Sequence, residues 1–298
     1  MPVLEGVIVA LITPVSQEGQ VDHGALRQLV QRLVERGVTG ISPLGSTGEG
    51  YSLSLDARLA VIETVAGAVP EGMPVIPGLF AASHEQAVTE IAAYAGRGVT
   101  GVLIAPPVYY PLSPAEQHSY FRRLADETVL PLVLYNIPAF TKVQLSPSVV
   151  ASLAGHQRIA GIKDSGQDLH YATTLLDAVA ASGQADNFSV LTGTDWLLVS
   201  YLTQGARGAI CGNANVVPEL VSAVFDAFKS GQLDEAVRQE AKLRAVTRVL
   251  SQGTLAAGFK AAVAAAGIGE RWLIPPRQAL TEEEAAQVAK QLDGLGVG

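Results

Sequence analysis

Six lysines stand in the sequence, and one of them is out of place. Lys142, Lys229, Lys242, Lys260 and Lys290 fall in expected loops or helices, whereas Lys163 falls inside the apolar stretch Ile159-Ala-Gly-Ile-Lys163-Asp164. Such a stretch reads as a buried strand. Alternation puts Ile159, Gly161 and Lys163 on one face, with Gly161 expected to clear space beneath the amine. A lysine at a strand end often snorkels to water. In a nearly dry interior, however, an unpaired ammonium is costly, and burial lowers the pKa of such an amine. A neutral amine near pH 7 is what imine formation with a ketone requires.

A second group is Gly45-Ser46-Thr47-Gly48-Glu49. Two glycines bracket two hydroxyls, which suits a tight loop presenting N–H and O–H groups to an anion, or a plain glycine-rich turn. The Gly-Lys-Ser/Thr ending of a phosphate loop is missing, as is a GxGxxG fingerprint. A third feature is Tyr135-Asn136-Ile137-Pro138. It places a phenol where it either points into a site or packs at the rim of the core. Asp164 and Asp195 lie near strand ends, suited to acid–base work or to hydrogen bonding with loop amides. Cys211 reads as a small buried hydrophobe. His23, His84, His118, His156 and His170 lack paired ligand spacing, so no metal site is expected.

These residues need a frame to bring them together, and the periodicity supplies one. Short β-branched runs alternate with helical segments. Strands are expected at Gly6–Thr13, Val38–Leu44, Val75–Phe80, Val99–Ala105, Leu132–Asn136, Ile159–Lys163, Phe188–Thr192 and Ala206–Cys211. Helices are expected between them, the first capped by Asp22. The strands are apolar on both faces, as parallel strands covered by helices must be. An internal echo supports regular units. Arg36-Gly-Val-Thr-Gly40 recurs as Arg97-Gly-Val-Thr-Gly101, 61 residues on, and Gln204-Gly-Ala-Arg-Gly208 is a weaker copy. The spacing equals two βα units of about 30 residues each. The expected fold class is α/β, a (β/α)8 barrel over residues 1–225, with a C-terminal helical region over 226–298. A doubly wound open sheet is the alternative. In barrels of this kind the site lies at the C-terminal ends of the strands.

Composition narrows the partners. A length of 298 residues with 48% hydrophobic and 16% charged residues allows a large core. The formal net charge of −8 argues against nucleic acid, which needs a clustered positive field. A single Cys excludes an internal disulfide framework. Mean hydropathy is +0.28, yet charges, Gly or Pro break every apolar run before it spans a bilayer, so no membrane role is expected. The start, Met1-Pro2-Val3-Leu4-Glu5, carries no basic, apolar leader, and a cytoplasmic location is expected.

The motifs GSTGE at 45–49, YYP at 109–111, YNIP at 135–138 and GIKDS at 161–165, in that order, resemble the dihydrodipicolinate synthase / N-acetylneuraminate lyase family of class I aldolases. The resemblance runs from Leu11-Ile-Thr-Pro14 through the C-terminal helices. It implies that Lys163 forms a Schiff base with pyruvate or another 2-oxo acid. It implies that Ser46 and Thr47 hold the pyruvyl carboxylate and that Tyr135 shuttles protons. Tyr110, in a segment stiffened by Tyr109 and Pro111, would enter a neighbouring subunit's site and link Ser46 to Tyr135. The family's usual assembly is a homotetramer built as a dimer of dimers, and its chemistry calls for no cofactor.

Two positions depart from the family. Synthases carry an arginine two residues after the Pro of the YNxP motif, where it grips the aldehyde's carboxylate; here that residue is Phe140. The lyase branch carries an acidic residue after the Gly-x-Asp of strand 7; here Gly193-Thr194-Asp195 is followed by Trp196. Phe140 and Trp196 imply an aldehyde pocket less polar than either branch has, with Phe140 and Asp195 among its substrate contacts. The expected function is reversible aldol addition or cleavage between pyruvate and a short aldehyde, of the 2-keto-3-deoxy-acid or 4-hydroxy-2-oxo-acid type. The alternative is 4-hydroxy-tetrahydrodipicolinate synthase, disfavoured by Phe140. A silent barrel that binds a 2-oxo acid as a sensor is disfavoured by the retention of all five residues Lys163, Tyr135, Tyr110, Ser46 and Thr47.

Overall fold

The computed structural model describes residues 3–297; Met1, Pro2 and Gly298, at the ends of the ranges above, lie outside the described residues. Eight strands form one sheet: β1 (Gly6–Ala10), β2 (Gly40–Ser42), β3 (Gly78–Leu79), β4 (Val102–Ile104), β5 (Leu132–Asn136), β6 (Ile159–Asp164), β7 (Ser189–Thr192) and β8 (Gly208–Cys211). Their order is β2-β1-β8-β7-β6-β5-β4-β3, with every pairing parallel. Between the two ends of that order, the Ile76 N–H donates to the Ile41 carbonyl at 2.9 Å and the Gly78 N–H to the Pro43 carbonyl at 2.8 Å. Those bonds close the sheet, so the fold is a (β/α)8 barrel rather than an open sheet.

Alternation divides the strand side chains between two cores. Ile8, Leu103, Val133, Tyr135, Leu191 and Ile210 fill the barrel interior. Their neighbours Val7, Val9, Ile104, Leu134, Val190 and Cys211 pack outward under the helices. Lys163 is in register with Tyr135 on one side and Leu191 on the other, both interior residues, so its side chain belongs to the interior set. The alternation fails at Ile159, which joins the outer core. A register shift where β6 meets β5 at Leu132/Val133 explains this departure.

Helices start where the sequence supplies a cap. The side chains of Asp22, Ser54, Ser83 and Ser113 each accept an N–H three residues on, and Asp168 accepts those of His170 and Tyr171. Each such cap is worth about 1 kcal/mol. Several strands are shorter than their apolar runs. The run from Gly6 ends as strand at Ala10 because the Ile12 N–H donates to the Asn215 side chain instead of a neighbouring strand. In the third run Pro77 has no N–H to give to the ladder, and only Gly78–Leu79 remain as strand. A single helical turn at Pro138–Thr141, which carries Phe140, was not expected. At the C-terminus, helices Pro218–Lys229, Leu233–Leu250, Ala257–Ala265 and Glu282–Gly294 share the outer core with the barrel helices. No helix among the described residues is long and apolar enough to cross a membrane.

Candidate active site

β5 and β6 deliver the central pair. Tyr135 and Lys163 are opposite one another in register near the C-terminal ends of these strands. Both are buried, at 2% and 4% exposure, and the Lys163 Nζ lies 4.6 Å from the centroid of the Tyr135 ring. A cation over a ring face gains some electrostatic stabilisation. None of the ion pairs among the described residues involves Lys163. The amine is therefore buried and, among the described residues, has no carboxylate within ion-pairing distance.

The glycine that makes room for it is not the expected one. A Cβ on Gly161 would meet the Ser189 backbone, so that glycine serves the approach of β7 to β6. A Cβ on Gly193 would lie 2.8 Å from the Lys163 Cε and overlap the Ser165 hydroxyl. Space for the reactive side chain is thus supplied from the end of β7, a neighbour in the barrel but 30 positions away in the chain.

The loop after β2 is shaped by two non-glycine residues in the left-handed region, Leu44 at φ 62° and Glu49 at φ 55°. Such backbone conformations cost about 1–3 kcal/mol and are retained where surrounding contacts over-determine them. Here the Thr13 hydroxyl donates to the Gly48 carbonyl at 2.6 Å, and the Glu49 N–H donates to the Ser46 carbonyl at 3.1 Å. The Glu49 carboxylate makes a fully buried ion pair with Lys260 and accepts the Ile274 N–H at 2.9 Å. Ser46 and Thr47 are half-buried, and among the described residues neither hydroxyl has a hydrogen-bond partner. Clamped from below and unpartnered above, this turn offers donors to an anion.

Two acids sit at or beyond the C-terminal ends of β6 and β7, Asp164 and Asp195. Asp164 accepts hydrogen bonds from the Asn136 amide at 2.7 Å, the Gly166 N–H at 2.9 Å and the Tyr201 hydroxyl at 2.6 Å. Burial pushes its carboxyl up, against the opposing pull of those hydrogen bonds. Asp195 accepts the Asn213 N–H at 2.8 Å, and burial pushes it up to about 6, with the Lys163 charge pulling the other way. Each acid thus accepts a hydrogen bond from a loop amide, Gly166 for Asp164 and Asn213 for Asp195. Cys211 is fully buried in the outer core, and burial pushes its thiol well above the ordinary range, leaving it inert.

Beside Ser46 opens a cavity of about 480 Å³, lined by Tyr51, Phe80, Val108, Phe140 and Leu255 with Ser46, Glu49, Thr141, Thr254 and Arg277. Phe80 ties it to the central pair: its ring packs against Tyr135 at 6.2 Å and against Tyr51 at 6.2 Å. Phe140 lines this cavity, and Trp196 is not among its walls. Tyr110 is 75% exposed, stacked edge-on against Tyr109, and is not among the walls of this cavity.

A lone strand lysine over a tyrosine, beside an anion-ready turn in a barrel, is now matched by kinship. Residues 3–295 match the model of the dihydrodipicolinate synthetase family. The chain belongs to that family. It is 34% identical to a 4-hydroxy-tetrahydrodipicolinate synthase of Pelobacter propionicus over 98% of this chain and 99% of the relative. Among solved structures, the E. coli family member YagE, determined in complex with pyruvate, superposes with a TM-score of 0.93 at 27% identity and covers 99% of both chains. A monomeric dihydrodipicolinate synthase variant superposes with a TM-score of 0.94 at 25% identity, covering 99% of this chain and 98% of the other. Membership makes the protein a lyase of the class I aldolase type.

Sequence reading missed Lys260 and Arg277. Lys260 was expected among the lysines of ordinary helices, yet its side chain is fully buried. The signal was the one used for Lys163: a single charge in an apolar run, here Ala257-Gly-Phe-Lys-Ala-Ala-Val-Ala-Ala265. For Arg277 no local pattern existed, because its neighbours are brought to it only by the fold.

Proposed function

We propose that this family member joins pyruvate to an aldehyde through a Schiff base on Lys163, and that the synthase reaction named for its relatives is the first form to test. The observation that carries the reading is a buried amine free of ion pairs, 4.6 Å over the Tyr135 ring. The Lys163 amine adds to the C2 carbonyl of pyruvate, and loss of water leaves a protonated imine. The imine draws electrons, C3 gives up a proton, and the resulting enamine attacks the aldehyde carbon. Tyr135 is the group placed to carry protons to and from the imine and the new oxygen. Ser46 and Thr47 supply hydroxyls for the pyruvyl carboxylate. Hydrolysis of the imine releases the product and restores the amine.

The relatives favour 4-hydroxy-tetrahydrodipicolinate synthase over the short 2-oxo-acid aldolase that Phe140 suggested from sequence. The second reading, cleavage of a 4-hydroxy-2-oxo or 2-keto-3-deoxy acid, retains the support of Phe140 on the cavity wall. Exposed Tyr110 supports a shared site in a homotetramer, its hydroxyl completing the relay of a neighbouring chain.

Borohydride added with pyruvate should fix a label on Lys163, and Lys163→Ala should abolish both label and activity. A label on another lysine, or full activity in the variant, overturns the mechanism. Product analysis with aspartate semialdehyde separates the two reactions: a cyclised product supports the synthase, and turnover of 4-hydroxy-2-oxo acids alone supports the second reading. Sedimentation in the same preparations tests assembly, since full activity in a verified monomer would rule out a relay that needs Tyr110 of a neighbour.

A further inference from the structure

The cavity beside Ser46 is apolar except for a few hydroxyls and two charged residues, Glu49 and Arg277. Glu49 already has a cation beside it. Its side chain is fully buried, paired with the equally buried Lys260 and bonded to the Ile274 N–H. Two cations, Lys260 and Arg277, thus share the one Glu49 carboxylate. The Arg277 Nη2 donates to the Ser52 hydroxyl at 2.6 Å, and its Nε sits 3.4 Å from the Glu49 Oε1 without making a hydrogen bond. Among the described residues its Nη1 has no hydrogen-bond partner, and the side chain is 28% exposed. A guanidinium on the wall of an apolar cavity attracts an anion more strongly than one in open water. A carboxylate taken into that cavity would in turn need such a partner.

We infer that Arg277 is a specificity-determining residue that holds a carboxylate of the aldehyde substrate, on the wall formed with Leu255 and Phe140. The substrate class is then an aldehyde bearing an anionic group at the far end of a short body. Phe140 removes a guanidinium from one wall of the site, and Arg277, from the C-terminal segment after Pro276, places one on another. This inference rests on the Schiff-base reading above.

The experiment compares two four-carbon aldehydes, succinate semialdehyde and butanal, with pyruvate as the common partner. The wild type should prefer succinate semialdehyde in kcat/KM by at least about tenfold, the lower range for a hydrogen bond to a charged group. Arg277→Gln should shrink that preference by about 10–100-fold, and Arg277→Lys should keep part of it. In both variants the KM for pyruvate and borohydride labelling of Lys163 should stay as in the wild type, which also shows that the variants fold. Equal kcat/KM for the two aldehydes in the wild type, equal losses in Arg277→Gln, or a raised KM for pyruvate would each overturn the assignment. Absence of labelling at Lys163 in the wild type instead strikes the Schiff-base reading, so the two failures are distinct.

Discussion

The two ends of the site are built from different materials. At one end Lys163 and Tyr135 are register neighbours on adjacent strands, almost wholly buried and held by the barrel ladder. At the other end Phe140 rides a single helical turn at 52% exposure, while Leu255 and Arg277 come from connections among the C-terminal helices. Strands fix an amine and a phenol within a fraction of an ångström, which bond-making steps demand. Loops and helix connections vary without disturbing the barrel, so a family can exchange one aldehyde for another there. Of the two departures from the family pattern, Phe140 stands on the cavity wall at this second end and Trp196 does not.

If that division is right, substitutions on the strands should damage every aldehyde reaction alike. Tyr135→Phe retains the ring beneath Lys163 and against Phe80 but removes the hydroxyl. It should lower kcat by about 10²–10⁴ for any aldehyde, the usual worth of one general acid–base group, with less effect on pyruvate binding. A loss confined to one aldehyde would move Tyr135 to the selective end and break the comparison.

Gly193→Ala is the next test, and its effect should be smaller. The added methyl would press on the Lys163 Cε and the Ser165 hydroxyl, and overpacking of this kind costs about 1–3 kcal/mol. Part of that cost would appear as displacement of the amine. The rate of borohydride labelling should fall by about tenfold, given the sensitivity of aligned reactants to misplacement. Gly161→Ala should instead lower the melting temperature more than the labelling rate of the protein that remains folded, because its methyl would meet the β7 backbone. Equal effects of the two on labelling would remove the distinction between them.

What could be read from the sequence follows the same division. Lys163 was legible because a charge in an apolar strand breaks a local pattern, and Tyr135 because it ends such a strand. The helix start at Asp22 was legible because a cap acts within three residues. Gly193 was not, since its role depends on strand neighbours brought together by barrel closure. The space beneath the amine was therefore assigned to Gly161, the nearest glycine in sequence. Arg277 was hidden for the same reason: it meets Glu49 and Ser52 across 225 residues or more of chain. Alternation alone also misplaced Ile159, because one register shift reverses a face.

Asp195 offers the finest test of how the strand end is tuned. Burial raises its carboxyl from the ordinary value of 3.8 to about 6, so between those values the folded chain holds a proton that the unfolded chain has lost. A state that binds more protons gains stability as pH falls, so this group's contribution declines as pH rises from about 4 to about 6 and is constant above. The full difference is about 3 kcal/mol. Asp195→Asn keeps an oxygen for the Asn213 N–H but cannot ionise. Measured by denaturant midpoints, the stability of the wild type relative to Asp195→Asn should therefore decrease across that window and then level off. A difference that is flat from pH 4 to pH 7 would show that Asp195 ionises normally, with enough water or charge around it to cancel the burial. The strand end of the site would then be wetter than its packing implies, and the amine of Lys163 less isolated.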